Sequence, residues 1–431
     1  MKITIVNCYH DSNKGSSAIL WGLIRRLQDT GLVKSISLVS MFQKTHPFFE
    51  SSLRHIRAEF PEVIIVGAPL PSSHEYASNR YKKIGEIRSP LARMIDVVQA
   101  SIRLKFLTRE KKFLNDTYHE IATSDLVVDR GGPFFAANNP LFNLSLYHNA
   151  FPLFIAKRFG VEFGFAPESC GPFASSWSRQ LMRNLCEDAA FIMTRDPISK
   201  DALMRCGVDR NRILLTLDSA FWVDHNLSEK IKFFMETNNL EPQKFLVVTT
   251  RAWHGDRLKK YHQELASTIN CVIPRYFQKV VLVPNMLDPL GQMGDDLKAT
   301  KELYSLIEKK EYVSVLDEDL PPNELVGFYG QAGLLLGTRL HSVIMALAAG
   351  TPAVAVAYSG HKTQGVMQAV DLPQYTMELD TFNPETALSL LISALSRRTQ
   401  IQEKIDRLRQ EGNAIFNGSL RALTDSRGID R

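Results

Sequence analysis

An arginine and a histidine stand two residues apart, at Arg339 and His341, directly after the apolar run Leu334–Leu336. We predict that the run is a buried strand and that a helix follows it, with Thr338 as the N-terminal cap and Gly350 at the end. The N-terminus of a helix carries partial positive charge, so an arginine placed there is explained if an anion binds beside it. An imidazole titrates near neutral pH and can transfer a proton at such a site. The simpler alternative is a solvated arginine and a histidine that bonds a backbone carbonyl.

Two more polar side chains follow the next predicted strand. That strand is Ala353–Val356, and the loop after it carries Tyr358 and Lys362. Because the carboxyl ends of adjacent parallel strands meet at one edge of a sheet, we expect both residues to lie near Arg339 and His341. Two cations and an imidazole at one edge suit a small substrate with two negative charges.

The elements that must position these residues alternate along most of the 431 residues. Short apolar, β-branched runs are separated by helical patterns, which is typical of parallel sheets covered by helices on both faces. The candidate strands are Ile3–Val6, Ser37–Val39, Val63–Val66, Leu126–Val128, Glu162–Ala166, Phe191–Met193, Leu214–Leu217, Phe245–Thr249, Val280–Val283, Tyr312–Val315, Leu334–Leu336 and Ala353–Val356. We predict an α/β protein of two Rossmann-like doubly wound domains that face each other across a cleft, as in the GT-B fold.

A polar segment without a predicted strand separates the two sets of strands. We place the N-terminal domain at 1–225, a linker at 226–243, the C-terminal domain at 244–395 and C-terminal helices at 396–431. The length suits two domains of about 200 residues each.

The segment Gly337–Lys362 resembles the signature of the polysaccharide pyruvyltransferase family, in which G-x-R-x-H precedes a helix, G-x-P begins a strand and Y-x-x-K follows. The matching positions are Gly337, Arg339, His341, Gly350, Pro352, Tyr358 and Lys362, with one extra residue in the last loop. Further motifs match in order, within residues 3 to 375: Asp129–Pro133, Glu168–Phe173, Thr194–Ser199, Asp218–Phe221, Arg251 with Trp253, and Asp295-Asp296. Each motif is short, but the ordered set is specific.

The resemblance implies phosphoenolpyruvate as donor and a sugar diol as acceptor, with a cyclic pyruvate ketal and phosphate as products. It implies no cofactor beyond phosphoenolpyruvate as co-substrate. His341 is our candidate general acid, with Arg339 as its catalytic partner. The donor-binding candidates, most of them in the C-terminal domain, are Arg339, Lys362, Tyr358, Ser342 and Arg195. The candidates on the acceptor side or for the base are Asn13, Glu168, Asp129 and Arg251.

Some of these candidates have structural alternatives. Arg195 could instead pair with Asp196 or Asp218, and the carboxyl groups of Glu168 and Asp129 could cap a helix or a turn. The chain also departs from the family pattern at three places: Asn13–Ser16 stands where N-x-G-D is common, Pro133 where a third glycine is common, and Glu168 where glutamine is common. These departures leave the acceptor open: a polymer, a lipid-linked glycan or a small sugar.

Positive charge is concentrated in one stretch, Arg80–Lys112, which has ten Lys or Arg against three acids, a net charge of +7. Within it, Leu91, Met94, Ile95, Val98 and Ile102 fall at helical spacing, so we predict a basic amphipathic helix. One interpretation is peripheral contact with an anionic membrane surface or an acidic acceptor. The other is an ordinary helix that packs on its own domain and leaves a solvated basic face.

The remaining composition excludes several classes of protein. Five scattered cysteines without metal-ligand spacing predict reduced thiols, a cytoplasmic location and no metal. No apolar run is long enough to span a membrane, and the start Met1–Val6 favours a strand rather than a signal peptide. Aromatic residues are too sparse in the basic stretch to favour nucleic-acid binding. The alternative functions are a GT-B glycosyltransferase that uses a nucleotide-activated sugar, and a non-catalytic binding protein. The sequence leaves the oligomeric state open.

Overall fold

The computed structural model describes residues 1–71, 88–106, 115–138, 143–252, 256–287, 295–358 and 361–427. The described strands form two sheets in which neighbours pair in parallel. The strands of the first sheet are β1 (Lys2–Cys8), β2 (Ser35–Ser40), β3 (Ile64–Val66), β4 (Leu126–Asp129), β5 (Glu162–Glu168), β6 (Ile192–Thr194) and β7 (Ile213–Leu215). The strands of the second are β8 (Phe245–Thr249), β9 (Lys279–Leu282), β10 (Val313–Val315), β11 (Leu334–Gly337), β12 (Ala353–Ala357) and β13 (Thr376–Glu378).

Helices connect these strands, as parallel pairing requires. They are α1 (Lys14–Asp29), α2 (Phe49–Ser52), α3 (Arg54–Glu59), α4 (Arg88–Phe106), α5 (Asp116–Ala122), α6 (Leu144–Phe159), α7 (Ser176–Asp188), α8 (Pro197–Arg205), α9 (Glu229–Thr237), α10 (Asp256–Val272), α11 (Asp296–Leu306), α12 (Pro322–Gln331), α13 (Leu340–Ala348), α14 (Lys362–Ala369), α15 (Pro384–Ser396) and α16 (Arg398–Arg427). Among the described helices, none is both long and apolar enough to cross a membrane.

The strand order of the first sheet is β3-β2-β1-β4-β5-β6-β7. The order changes direction between β1 and β4, and in doubly wound sheets ligands bind where the direction changes, beyond the carboxyl ends of the strands. The central strand β4 is buried along its whole length, because helices cover both faces.

The second sheet has the order β10-β9-β8-β11-β12-β13 and changes direction between β8 and β11. Both strands are buried throughout. The residues that follow them, Arg251 after β8 and Arg339 after β11, therefore stand at the position where such a sheet holds a ligand. Two Rossmann-like units confirm the predicted fold class.

Contacts divide the chain into two compact units that do not follow its order. The first unit contains 1–11, 26–216 and 414–431, and the second contains 12–25 and 217–413. Most of α1 therefore belongs to the same unit as the second sheet, whereas the predicted boundary at 225 places all of α1 in the N-terminal domain. Close packing explains it, because Gly22 of α1 lies directly against the backbone carbonyl of Ser219, where a Cβ would clash.

Every predicted strand is present, with each end displaced by at most two residues. The sequence missed β13, and one long helix, α16, occupies most of 396–431, the region predicted as C-terminal helices. Part of the basic stretch, residues 80–87 and 107–112, lies outside the described residues.

Candidate active site

Arg339 stands between β11 and α13, at the position where the second sheet changes strand direction. It is the N-cap residue of α13, so the predicted cap, Thr338, was wrong. Thr338 Oγ1 instead shares a hydrogen bond of 2.6 Å with the Tyr261 hydroxyl. Arg339 has extended backbone and its side chain makes no cap bond. Its guanidinium is therefore not engaged by its own helix.

A buried carboxylate holds the Arg339 guanidinium by one edge. Arg339 Nε donates to Asp296 Oδ2 at 2.8 Å, and Nη2 donates to Asp296 Oδ1 at 2.5 Å. Asp296, the first residue of α11, is fully buried, whereas 17% of the Arg339 side chain is exposed. Neither bond uses Nη1, so the outer end of the planar fork retains donors for an anion.

A second arginine lies close to the first. Arg251 follows β8, and its guanidinium stacks 4.0 Å from the centre of the Tyr358 ring. Burial lowers the pKa of Arg251, and the positive charge of Arg339 lowers it further. The backbone N–H of Ala252 donates to Asp296 Oδ1 at 2.9 Å, which links the two arginine segments. The Asp296 carboxylate thus bonds the Arg339 guanidinium and lies near that of Arg251, and an anion would balance the remaining positive charge.

His341 lies in the first turn of α13, beside a second buried aspartate. Its Nε2 is 3.6 Å from Asp218 Oδ2, longer than a hydrogen bond but close enough for charge attraction. The other Asp218 oxygen accepts from the Ala220 N–H at 2.8 Å and caps the 3-10 turn Ser219–Trp222. The carboxylate is therefore fixed by the backbone and can stabilise a protonated imidazole.

Helix α1 supplies the surface against which the imidazole rests. A Cβ placed on Gly15 would lie 2.5 Å from both Cγ and Nδ1 of His341, so only glycine fits there. Asn13 caps this helix by accepting from the Ser16 N–H at 3.2 Å. Asn13, an acceptor-side candidate, thus belongs to the same unit as the donor-side candidates Arg339 and His341.

The other candidates of this unit have different environments. Ser342 is fully buried, and its hydroxyl donates to the Arg339 carbonyl at 2.7 Å and contacts Thr249 Oγ1 at 2.7 Å. It therefore supports the Arg339 backbone and does not face a ligand. Tyr358 carries the Arg251 guanidinium on its ring. Lys362 is the partly exposed first residue of α14, and residues 359–360 of the loop before it lie outside the described part.

The first unit holds the remaining three candidates: Asp129, Glu168 and Arg195. Burial raises the pKa of Glu168 well above its usual range, and the nearby charge of Asp129 raises it further. Burial also raises the pKa of Asp129, which accepts from Asn7 Nδ2 at 2.6 Å. The two carboxyl groups therefore form a buried, coupled pair in which the charge of Asp129 disfavours ionisation of Glu168.

Both carboxyl groups also hold turns, as the structural alternative predicted. Asp129 Oδ2 accepts from the Gly131 N–H at 3.0 Å, and Glu168 Oε1 accepts from the Phe134 N–H at 3.1 Å. Gly131 has a φ of +85°, which glycine adopts readily. Arg195 is buried, and its Nε donates to Ser169 Oγ at 2.7 Å.

Sequence reasoning missed the roles of Asp218 and Asp296. Both belong to quoted motifs, but the partners lie more than 40 residues away along the chain. An aspartate directly before a helix or turn is a common cap, so local signals favoured a structural role. No group of His, Cys, Asp and Glu suited to a metal occurs within the described residues.

Most candidate residues of the second unit fall inside a segment matched by a known family. The profile of the polysaccharide pyruvyl transferase family matches residues 13–360. The chain belongs to this family. The match begins at the cap of α1 and includes Asp218, Asp296, Arg339 and His341.

Relatives of this pyruvyl transferase family member extend over its full length. The amylovoran biosynthesis protein AmsJ of Erwinia amylovora is 23% identical over 434 residues, 97% of each chain. UDP-GlcNAc 2-epimerase from Neisseria meningitidis bound to UDP-GlcNAc superposes with a TM-score of 0.56 at 12% identity, covering 98% of this chain and 100% of that one. HepE of Anabaena in complex with UDP gives 0.54 at 13% identity, covering 99% and 100%. These structural likenesses establish the GT-B-like fold of the pyruvyl transferase.

Proposed function

We propose that the protein transfers the pyruvyl group of phosphoenolpyruvate to two hydroxyls of a sugar, forming a cyclic ketal and releasing phosphate. The observation that supports this proposal best is the arrangement around Asp296. Arg339 pairs with that buried carboxylate at the position where the second sheet changes direction, the Arg251 guanidinium lies close to both, and His341 stands two residues from Arg339.

The donor that we propose carries a carboxylate and a phosphate on a small skeleton. The free end of the Arg339 fork suits bidentate binding of either group, because guanidinium geometry matches paired oxygens. Arg251 adds a second guanidinium, and Lys362 a point charge from the start of α14. We propose that Tyr358 contributes by holding Arg251 in place through its ring.

The chemistry requires a proton at the methylene carbon of the donor. We propose His341 as the general acid that supplies it, which makes the neighbouring carbon an electrophile like an oxocarbenium ion. One sugar hydroxyl adds to that carbon, phosphate leaves, and the second hydroxyl closes the ring. The Asp218 carboxylate stabilises the charged imidazolium before transfer, and Gly15 lets the ring lie against α1.

The acceptor is less closely defined by the chain. The relative AmsJ is named an amylovoran biosynthesis protein, and the matching family is named for polysaccharides. We propose that the acceptor here is a sugar of a polysaccharide or of its lipid-linked precursor. Glu168 and Asp129 are buried and hold turns by accepting backbone N–H bonds, so we do not propose either as the base that takes the hydroxyl proton. We propose a cytoplasmic reaction without any cofactor; the five free cysteines agree with a reducing compartment.

A panel of acceptors incubated with phosphoenolpyruvate tests the proposal. Phosphate release that depends on an acceptor, together with a mass increase of that acceptor by one ketal-linked pyruvyl group, is the expected result. Transfer from a nucleotide sugar without any use of phosphoenolpyruvate would overturn it in favour of a glycosyltransferase.

The role of His341 is tested by His341→Ala, which we expect to abolish phosphate release while the fold stays intact. The matched control is His119→Ala, an exposed histidine on α5, which should keep full activity. Near-normal turnover by the His341 variant would remove this residue from the mechanism.

A further inference from the structure

Helix α4 presents an unusual concentration of exposed apolar side chains. Met94, Ile95, Val98, Ile102 and Phe106 are between 45% and 74% exposed. Four of them are members of the stripe predicted from helical spacing; the fifth predicted member, Leu91, lies outside the residues whose side chains are described. The prediction of an apolar face was correct, but this face does not pack against the domain.

A different face of α4 attaches it to the first unit. Val97 and Leu104 are buried, and Ser101 Oγ shares a hydrogen bond of 2.8 Å with the Tyr147 hydroxyl of α6. Arg158 of α6 donates from Nε to the Leu104 carbonyl at 3.1 Å. At about 100° per residue the centre of the packed face lies about 120° around the helix from the centre of the exposed apolar face. The exposed face is therefore not needed to hold the helix on its domain.

Single exposed apolar residues are normal on a protein surface, but a contiguous group is not. Across the described residues ten large hydrophobic side chains are exposed, and five of the ten belong to α4. The other five are scattered over different elements: Ile64, Leu215, Phe233, Leu306 and Ile392. The concentration on one helix face indicates a binding surface.

The charge of α4 favours one occupant of this surface. The helix has four basic residues, Arg88, Arg93, Arg103 and Lys105, against one acid, Asp96, so its formal charge is 4 − 1 = +3. A second copy of the same helix would bring two positive faces together, which disfavours a homodimer here. An anionic lipid surface supplies both an apolar layer and negative charge.

We propose that α4 lies in the headgroup region of an anionic membrane, with the face from Met94 to Phe106 inserted among the acyl chains. At about 100° per residue Arg103 lies beside that face, and Lys105 falls within its edge, between Met94 and Val98. Their aliphatic stems can cover apolar surface while the charged ends reach lipid phosphates. The helix lies on the membrane and does not cross it.

Co-sedimentation with vesicles tests this binding. We expect the full-length protein to bind vesicles that contain phosphatidylglycerol at low salt, to bind neutral phosphatidylcholine vesicles much more weakly, and to lose binding at high salt. Failure to bind the anionic vesicles, or equal binding to neutral ones, would overturn the proposal.

Paired variants separate the apolar face from the charge. Val98→Asp with Ile102→Asp should lower the partition coefficient about tenfold or more, because two apolar side chains leave the inserted face. Arg103→Gln with Lys105→Gln should lower it and weaken the salt dependence. The control is Phe233→Asp, which removes an equally exposed apolar residue from α9 and should leave binding unchanged.

A fluorescent variant tests directly whether the helix enters the membrane. The indole fluorescence of the Ile102→Trp variant should shift to shorter wavelength with anionic vesicles and be quenched by lipids labelled in the acyl chain. An unshifted emission would contradict insertion. Light scattering tests for a dimer. A dimer that Val98→Asp with Ile102→Asp converts to a monomer would show that the exposed face binds a second copy instead of a membrane. Phosphate release in solution does not depend on this surface, so failure of the membrane proposal would not contradict the proposed function.

Discussion

Asp218 Oδ2 lies 3.6 Å from His341 Nε2, and the other oxygen of the same carboxylate is held by the Ala220 N–H. The carboxylate is thus fixed by the backbone before it meets the imidazole. Helix α13, which carries His341, packs against the 3-10 turn that Asp218 caps. We infer that Asp218 orients the imidazole and favours its protonated form without touching the substrate.

The first prediction removes the charge of Asp218 and keeps its cap. Asp218→Asn retains an oxygen for the Ala220 N–H, so the fold should persist, but it no longer stabilises an imidazolium. We expect kcat to fall about 10- to 100-fold with the KM for phosphoenolpyruvate little changed. Steady-state kinetics across pH measure the effect, and Asp218→Glu should restore part of it.

Asp209→Asn is the matched control. Asp209 also caps a 3-10 turn, through a bond from the Asn211 N–H at 3.0 Å, but lies on the surface of the first unit. Its substitution should leave kcat unchanged. If Asp218→Asn kept normal kcat and pH dependence, Asp218 would be only a structural cap.

The positions of the strands could be predicted because continuous apolar runs of β-branched residues are typical of sheets buried on both faces. The run Phe245–Thr249, for example, forms β8 with the predicted bounds. β13 was missed because Thr376–Glu378 is short, has one fully buried residue, and lies at the edge of its sheet.

The site was predictable only in part. Its residues could be recognised one by one, but the contacts between them depend on the tertiary structure. Arg339 and His341 could be placed near a helix start, but Asp296 and Asp218 reach them from distant segments. The place of Gly15 against the imidazole depends on α1 packing with the second unit. Periodicity likewise identified the apolar face of α4 and could not say which neighbour covers it.

The second prediction concerns Gly15. The Cβ introduced by Gly15→Ala would lie 2.5 Å from the His341 ring, so the imidazole must move. We expect activity to fall about tenfold or more, since displacement of a catalytic group by about an ångström can cost that much. Stability should fall as well, because the new Cβ would also lie 2.7 Å from the His341 Cβ, and rotation of the ring cannot relieve that contact.

The control for Gly15 is Gly418→Ala in α16, where a Cβ would meet no atom within 4 Å. That variant should keep full activity and gain about 0.5 to 1 kcal/mol in free energy of unfolding. Normal phosphate release by Gly15→Ala would contradict the close contact with His341.

The third prediction tests the Arg339 fork. Arg339→Lys keeps the positive charge but cannot bond both oxygens of Asp296 and a second anion at once. We expect kcat/KM for phosphoenolpyruvate to fall about 10- to 100-fold. Arg183→Lys, which changes an exposed arginine paired with Glu187 on α7, should leave kcat/KM unchanged. An unaltered rate in the Arg339 variant would argue against bidentate binding of the donor.

The fourth prediction concerns pH and the pair of Asp129 and Glu168. The pKa of Glu168 is raised in the folded protein, so the folded state binds more protons than the unfolded state above the ordinary pKa of a glutamate. This contribution to stability is fully present at acid pH and is lost as pH rises through the folded pKa. Glu168→Gln can still donate to Asp129 and accept from the Phe134 N–H, but it does not titrate.

We therefore expect the free energy of unfolding of Glu168→Gln to depend less on pH, with its advantage over the native protein growing as pH rises above the ordinary pKa of a glutamate. Denaturant titrations at a series of pH values measure this. Glu162→Gln, an exposed position at the other end of β5, should keep the pH dependence of the native protein. Parallel curves for Glu168→Gln and the native protein would show that folding does not raise the pKa of Glu168 and would overturn this prediction.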